Sequence, residues 1–126
     1  MKTPQLKHDK MMLEKYGTKV SASGRVERHI VAGLIGHLIL SGFTLHSVFD
    51  GEEETSVTTA QEAMELIFNL DEASLRFYKE PNPDQWHGIL LVVGNGEDII
   101  SDWNYFFDDR DGFNAAMDKF VVELFF

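Results

Sequence analysis

A chain of 126 residues that is 44% hydrophobic and 12% aromatic can close one hydrophobic core and little more, so a single domain is expected and pervasive disorder is disfavoured. The absence of cysteine removes disulfide frameworks, thiolate metal sites and cysteine nucleophiles, and it is in keeping with a reducing cytoplasm, where the protein is expected. The net charge of −10 is unevenly spread: Met1 to Arg28 carries seven bases against three acids, a net of +4, whereas four bases oppose eighteen acids from His29 onward, a net of −14.

Residues 1–22 read as a basic arm in front of one α+β domain, 23–126. The arm lacks the apolar core of a signal peptide, and its LKHDKMMLEKY stretch could form only a marginal helix unless some surface received Leu6, Met11, Met12 and Leu13. Ser23 followed by Val26, Ile30, Leu34 and Leu38, and ended by Ser41-Gly42, predicts a central helix from about 24 to about 41. Gly33 and Gly36 lie near one face of it and would permit close approach of a neighbour, at a cost of about 1 kcal/mol each in helix propensity. The longest apolar run, the 11 residues Ile30 to Leu40, is interrupted by His37 and falls short of the roughly 18 needed to span a bilayer, so no membrane association is expected.

FTLHSVFD alternates with period two and predicts a strand closed by Asp50-Gly51, with Glu52 to Glu54 as an acidic loop. Thr59 and Glu62 make a capping box that opens a helix over about 60–70, with Ala60, Ala63, Met64, Ile67 and Phe68 at helical spacing. ASLRFYKE alternates again, and EPNPDQ is expected to break it as an exposed loop because neither proline can donate to a ladder. An almost unbroken apolar run from Trp86 to Val93 predicts a strand, with Asp98 to Tyr105 as its partner. Asp108, Asp109 and Asp111 precede a last helix whose Phe113, Met117, Phe120, Val121 and Leu124 share one side. The order αβαβββα predicts an antiparallel four-stranded sheet with helices packed on one face.

The stretch VVGNGEDIISDW has the look of a phosphate loop, but Glu97 and Asp98 follow its glycines and no lysine is placed to meet a phosphate. Asn95-Gly96 between two apolar runs instead signals a two-residue type I′ hairpin. Such a turn would set Gly94 against Glu97, Val92 against Ile99, Leu90 against Ser101 and Gly88 against Trp103, whose ring would cover the glycine. By alternation Phe43, Leu45, Phe49, Leu75, Phe77, Leu90, Val92, Ile99 and Trp103 would then lie under the helices. The open face would carry Thr44, His46, Val48, Asp50, Ser74, Arg76, Tyr78, Ile89, Leu91, Val93, Asp98, Ile100 and Asp102, half apolar and half charged, as an interaction face would be.

VFDGEE (Val48 to Glu53), IFNLDEASLRF (Ile67 to Phe77) and HGILLVVGNGEDIISDW (His87 to Trp103) together resemble a family of small acidic uncharacterised proteins carried by phages, plasmids and bacterial chromosomes. The resemblance covers about half the chain and rests on a DGEE turn, an LDEA step between helix and strand, and a GNG-D-IISD hairpin. It implies a compact α+β unit in a mobile-element setting and brings no catalytic residue with it.

His37 in the most apolar helix reads as a satisfied core histidine, and His29 stands two turns from it, not the single turn that paired helical metal ligands use. His46, Asp50, Asp98 and Asp102 could form a Mg²⁺ or acid–base site only if all four converged. FDDRDGFNAAMD departs from a calcium loop at its first position, Phe107, and at its last, Asp118, so capping of the final helix is the better reading. No catalytic signature motif is present. The expected function is therefore a non-enzymatic acidic module, without cofactor or metal, that binds a basic surface of a host protein as an inhibitor or nucleic-acid mimic, with no direct contact to nucleic acid because the body is too acidic. A small enzyme on the open sheet face and a domain without a specific partner are the alternatives. Apolar Val122, Phe125 and Phe126 outside the final helix's main stripe, together with the arm, suggest a homodimer with exchanged arms.

Overall fold

The computed structural model of the chain describes residues 22–125, and every periodic segment forms the type of element its spacing predicts. Helix α1 (Ala22–Leu40) leads into β1 (Thr44–Phe49), β2 (Glu54–Ser56), α2 (Ala60–Ile67), β3 (Glu72–Lys79), β4 (Asn82–Val92), a 3-10 turn (Gly96–Asp98), β5 (Ile100–Asn104) and α3 (Phe113–Phe125). The five strands form one open antiparallel sheet in the order β2-β1-β3-β4-β5. The expected four strands become five because Glu54, assigned to an acidic loop, turns back to pair with Phe49. Asp50 makes that turn: its Oδ1 accepts from the Glu52 amide at 2.8 Å and the Glu53 amide at 2.7 Å.

All three helices feed one buried cluster on one side of the sheet. Ile30, Val31, Leu34, Ile35 and Leu38 of α1 meet Ala63 and Ile67 of α2, Phe113 and Met117 of α3, and Leu75, Phe77, Ile89 and Leu91 of the sheet. Full burial of each large side chain is worth about 1.5–3 kcal/mol. Helix α1 runs antiparallel to α3, since His37 Nε2 donates to the Ala116 carbonyl at 2.9 Å and a Cβ at Gly33 would stand 3.6 Å from the Phe120 ring. That is an ordinary contact distance, and a Cβ at Gly36 would meet nothing within 4 Å, so neither glycine is demanded by close helix packing. Helix α2 opens on the expected capping box: Thr59 Oγ1 accepts from the Glu62 amide at 3.1 Å, and Glu62 Oε1 accepts from the Thr59 amide at 3.2 Å.

Three departures from strict alternation correct the expected faces. In β1 the pairing with β3 shifts between Leu45 and Ser47, so Leu45 and Val48 both turn to the core while Phe49 goes to the open side. In β4 the register is Gly88 with Asn104, Ile89 with Trp103 and Leu90 with Asp102, one residue from that of a two-residue hairpin, whereas nearer the turn Leu91 meets Ile100 and the Val92 amide donates to the Ile99 carbonyl at 2.9 Å, as the hairpin would set them. Ile89 and Leu91 are thus fully buried, and Leu90 and Val92 are the half-buried pair on the other side. Trp103 lies opposite Ile89, not over Gly88, with its indole N–H donating to Asn114 Oδ1 at 2.9 Å. The third departure is the start of β4. The chain reverses over Glu80-Pro81, Asn82 pairs with Lys79, and residues 82 to 87 span the length that 77 to 79 cover on β3, so Pro83 is held in a wide bulge instead of a free loop.

The Asn95-Gly96 turn is also not type I′. Asn95 has φ −87°, whereas Gly94 and Gly96 take φ +105° and +60°, and the chain closes through the 3-10 turn. The cause lies far off in the sequence. Glu27 of α1, only 3% exposed, points its Oε2 at the loop and accepts from the Gly94 amide at 2.6 Å and the Gly96 amide at 3.1 Å. The glycine-rich loop does cradle an anion, and the anion is a side chain of the protein itself.

Candidate functional site on the open face of the sheet

The sheet surface away from the helices is ordered by two cross-strand rows. Ser47, Arg76, Gly88 and Asn104 lie side by side across β1, β3, β4 and β5, and Phe49, Ser74, Leu90 and Asp102 form the next row. A bare backbone is required at Gly88, because a Cβ there would stand 3.1 Å from Asn104 Oδ1 and 3.2 Å from Ser74 Oγ. Arg76 is the centre of the first row. Its guanidinium carbon lies 4.4 Å from the Phe49 ring centroid and 4.0 Å from that of Trp86, which the β4 bulge brings over it, and Nη1 donates to Glu54 Oε2 at 2.9 Å. Glu54 Oε1 is 3.2 Å from His46 Nδ1, which also lies 2.7 Å from the buried Ser47 hydroxyl. Arg76 is therefore stacked on two aromatics and paired with a carboxylate of the same face.

What the face offers outward is acidic. Beside Arg76 a groove of about 410 Å³ has Phe49 and Leu90 as its apolar floor and Asp50 and Glu72 as its rim, with Ser74 between them. A smaller recess of about 200 Å³ continues past Ser74 and Leu90 to Asp102 and Asn104. The Glu53 amide, and then that of Glu52, hold the Asp50 carboxyl below its ordinary range. Residues 22–125 hold nineteen acids against six bases, so the described body is strongly acidic as a whole. A floor and rim of this kind suit a chain with spaced basic and apolar side chains: the aromatic and aliphatic groups take up stems, and the carboxylates meet ammonium or guanidinium heads.

Of the residues expected on the interaction face, Arg76, Asp50 and Asp102 lie on it, and His46 and Tyr78 meet edge to face at 5.9 Å beside it. Val48, Ile89 and Leu91 belong to the core, Val93 and Ile100 pack against it, and Asp98 sits in the 3-10 turn. Ser74 lies on the face as expected, and Phe49, Glu54, Glu72, Trp86 and Leu90 join it. His46, Asp50, Asp98 and Asp102 do not converge, since β1 and β5 are separated by β3 and β4, roughly 14 Å at the usual strand spacing. Among the described residues no three acidic or histidine side chains are placed to share a metal ion, and no helix is long and apolar enough to cross a membrane. Leu6, Met11, Met12, Leu13 and Phe126, expected in oligomer contacts, lie outside the described residues; Phe125 closes α3, and Val122 is 56% exposed.

A second polar centre lies at the other end of the sheet. His87, 1% exposed and stacked on Phe113 at 4.7 Å, accepts the Phe106 amide at Nδ1 (2.9 Å) and donates from Nε2 to Asp111 Oδ2 (2.9 Å). Both ring nitrogens are consumed, so the pair latches the 105–112 loop to the core and is closed to a substrate. Asp109, at φ +58°, places its Oδ1 3.0 Å from the Asn114 amide and caps α3, as the sequence leads one to expect of the acids there. Another surface depression, about 620 Å³ between α1 and α2, is lined by Arg28, whose guanidinium lies 4.5 Å from the Phe68 ring centroid.

No family model, curated protein or solved structure matches the chain, so functional inference rests on its own geometry.

Proposed function

We propose that the protein is an acidic protein-interaction module whose open sheet face receives a basic segment of another protein. The observation that carries this reading is the groove with Phe49 and Leu90 below and Asp50 and Glu72 at its rim, on a face whose arginine, Arg76, is already tied to Glu54. A partner segment with lysine or arginine interleaved with apolar residues would fill it. In the mobile-element setting implied by the family resemblance, the partner would be a host protein whose basic surface otherwise takes nucleic acid. Electrostatic steering by the acidic body would make association fast and strongly salt-dependent.

The test is capture from bacterial lysate at graded salt by the full chain and by an Asp50→Asn/Glu72→Gln variant. Capture of a basic nucleic-acid-binding protein that falls steeply with salt, is lost in the variant and is displaced by added nucleic acid supports the proposal. Capture that ignores both salt and the two substitutions refutes it.

A further inference from the structure

The groove has a candidate occupant in the chain itself. Glu27 anchors the first turns of α1 to Gly94 and Gly96, the Val93 amide donates to the Asp71 carbonyl at 2.8 Å, and Glu72 pairs with Val92. The N-terminal end of α1 is therefore at the same end of the sheet as Glu72 and the Asp50-Gly51 turn. In sequence, residues 1–21 precede that end, with five lysines against Asp9 and Glu14 and with Leu6, Met11, Met12 and Leu13 set among them. A span of 21 residues reaches up to about 70 Å when extended, against a radius of gyration of about 13 Å for a body of this size. Length, starting point, charge and apolar spacing all suit the acidic rim and apolar floor.

We infer that the basic segment Met1–Ser21 docks in cis on the groove bordered by Asp50 and Glu72, as a tethered competitor of the basic partner; this rests on the proposed function of that groove. Tethering supplies the segment at an effective concentration of about millimolar order, so contacts too weak to hold a free peptide are populated. A partner then binds only by displacing it. If the segment fills the groove nine-tenths of the time, the apparent affinity for a competitor falls about tenfold.

Because the chain has no cysteine, a nitroxide attached at Gln5→Cys reports on one site only. The expected result in the full chain is paramagnetic broadening of the Gly51, Ser74 and Leu90 amides that disappears at 1 M salt, where the screening length is about 3 Å, and in Asp50→Asn/Glu72→Gln. Broadening centred on Val122 or Phe68, no localised broadening, or broadening only when labelled and isotope-enriched chains are mixed would overturn the inference. A synthetic peptide of alternating lysine and leucine serves as the competitor probe, and replacing the five arm lysines with glutamine should tighten its binding about tenfold. Salt-dependent peptide binding that the glutamine replacements leave unchanged overturns the cis-docking and spares the proposed function. A groove that binds the peptide in neither protein, while the nitroxide still broadens it, leaves cis-docking standing and removes the proposed function.

Discussion

Replacing Glu27 with alanine should be the most informative single change outside the core. The carboxylate accepts two backbone N–H groups, at 2.6 and 3.1 Å, from a loop whose glycines adopt positive φ to present them. Charge-assisted bonds of this kind contribute about 1.5–3 kcal/mol each, but Gly94 itself is exposed and water can replace part of the loss, so about 2–3 kcal/mol is expected for Glu27→Ala. Glu27→Gln keeps an acceptor without the charge and should cost about 1 kcal/mol. In urea, with m about 1.5 kcal/mol/M, the alanine variant's midpoint should drop by about 1–2 M at unchanged m. Amide exchange at Gly94 and Gly96 should accelerate before the core exchanges. An alanine midpoint indistinguishable from wild type, or a glutamine variant as unstable as the alanine one, would refute the view that this carboxylate organises the loop.

Other expectations follow from single contacts. Thr59→Ala removes the N-cap of α2 and should lower stability by about 1 kcal/mol in thermal or urea unfolding. The Thr58 hydroxyl, followed by the Thr58 amide and the Thr59 hydroxyl, holds the Glu62 carboxyl below its ordinary range; its stabilisation is complete above the usual carboxylate pKa and is lost as pH falls through the lowered value, so Glu62→Gln should flatten the acid limb of a stability–pH curve. Gly36→Ala, in the middle of α1 with open space where the methyl would go, should raise stability by about 0.5–1 kcal/mol. His87→Phe strips the Phe106 amide and the Asp111 carboxylate of their partner and should cost about 2–4 kcal/mol, with near-ultraviolet dichroism reporting the freed aromatic loop.

The helices were legible because a 3.6-residue stripe and a capping box are local signals that need no knowledge of the partner surface. α2 starts where Thr59 and Glu62 place it, and α1 buries the Ile30, Leu34 and Leu38 stripe. The strands were legible as elements but not as faces. Alternation assigns a face only while the pleat is unbroken, and shifts beside Leu45, Leu90 and Phe77 each move later side chains to the other side. That is why Ile89 and Leu91 left the expected interaction face while Phe49 and Leu90 entered it. Nothing near Asn95 announced the 3-10 turn, because the group that shapes it is 67 residues away from Gly94. At the site, Arg76 and the acids were visible from composition and parity, whereas the stacking of Arg76 on Trp86 depends on the bulge that carries Trp86 across β3.

Among the described residues the sheet ends in two edge strands, and these limit how a partner could add to it. One is β2, three residues long and wholly exposed; the other is β5, five residues long and kinked where its register with β4 shifts. Short and irregular edges are poor templates for an added strand, which protects a dissolved protein from ladder-like stacking into fibrils. Recognition through the proposed groove would therefore proceed by side chains across the pleats and not by backbone pairing at a rim. The conformation of the bound segment is then not imposed by the sheet: a helix and an extended strand that present the same order of basic and apolar groups should compete on equal terms.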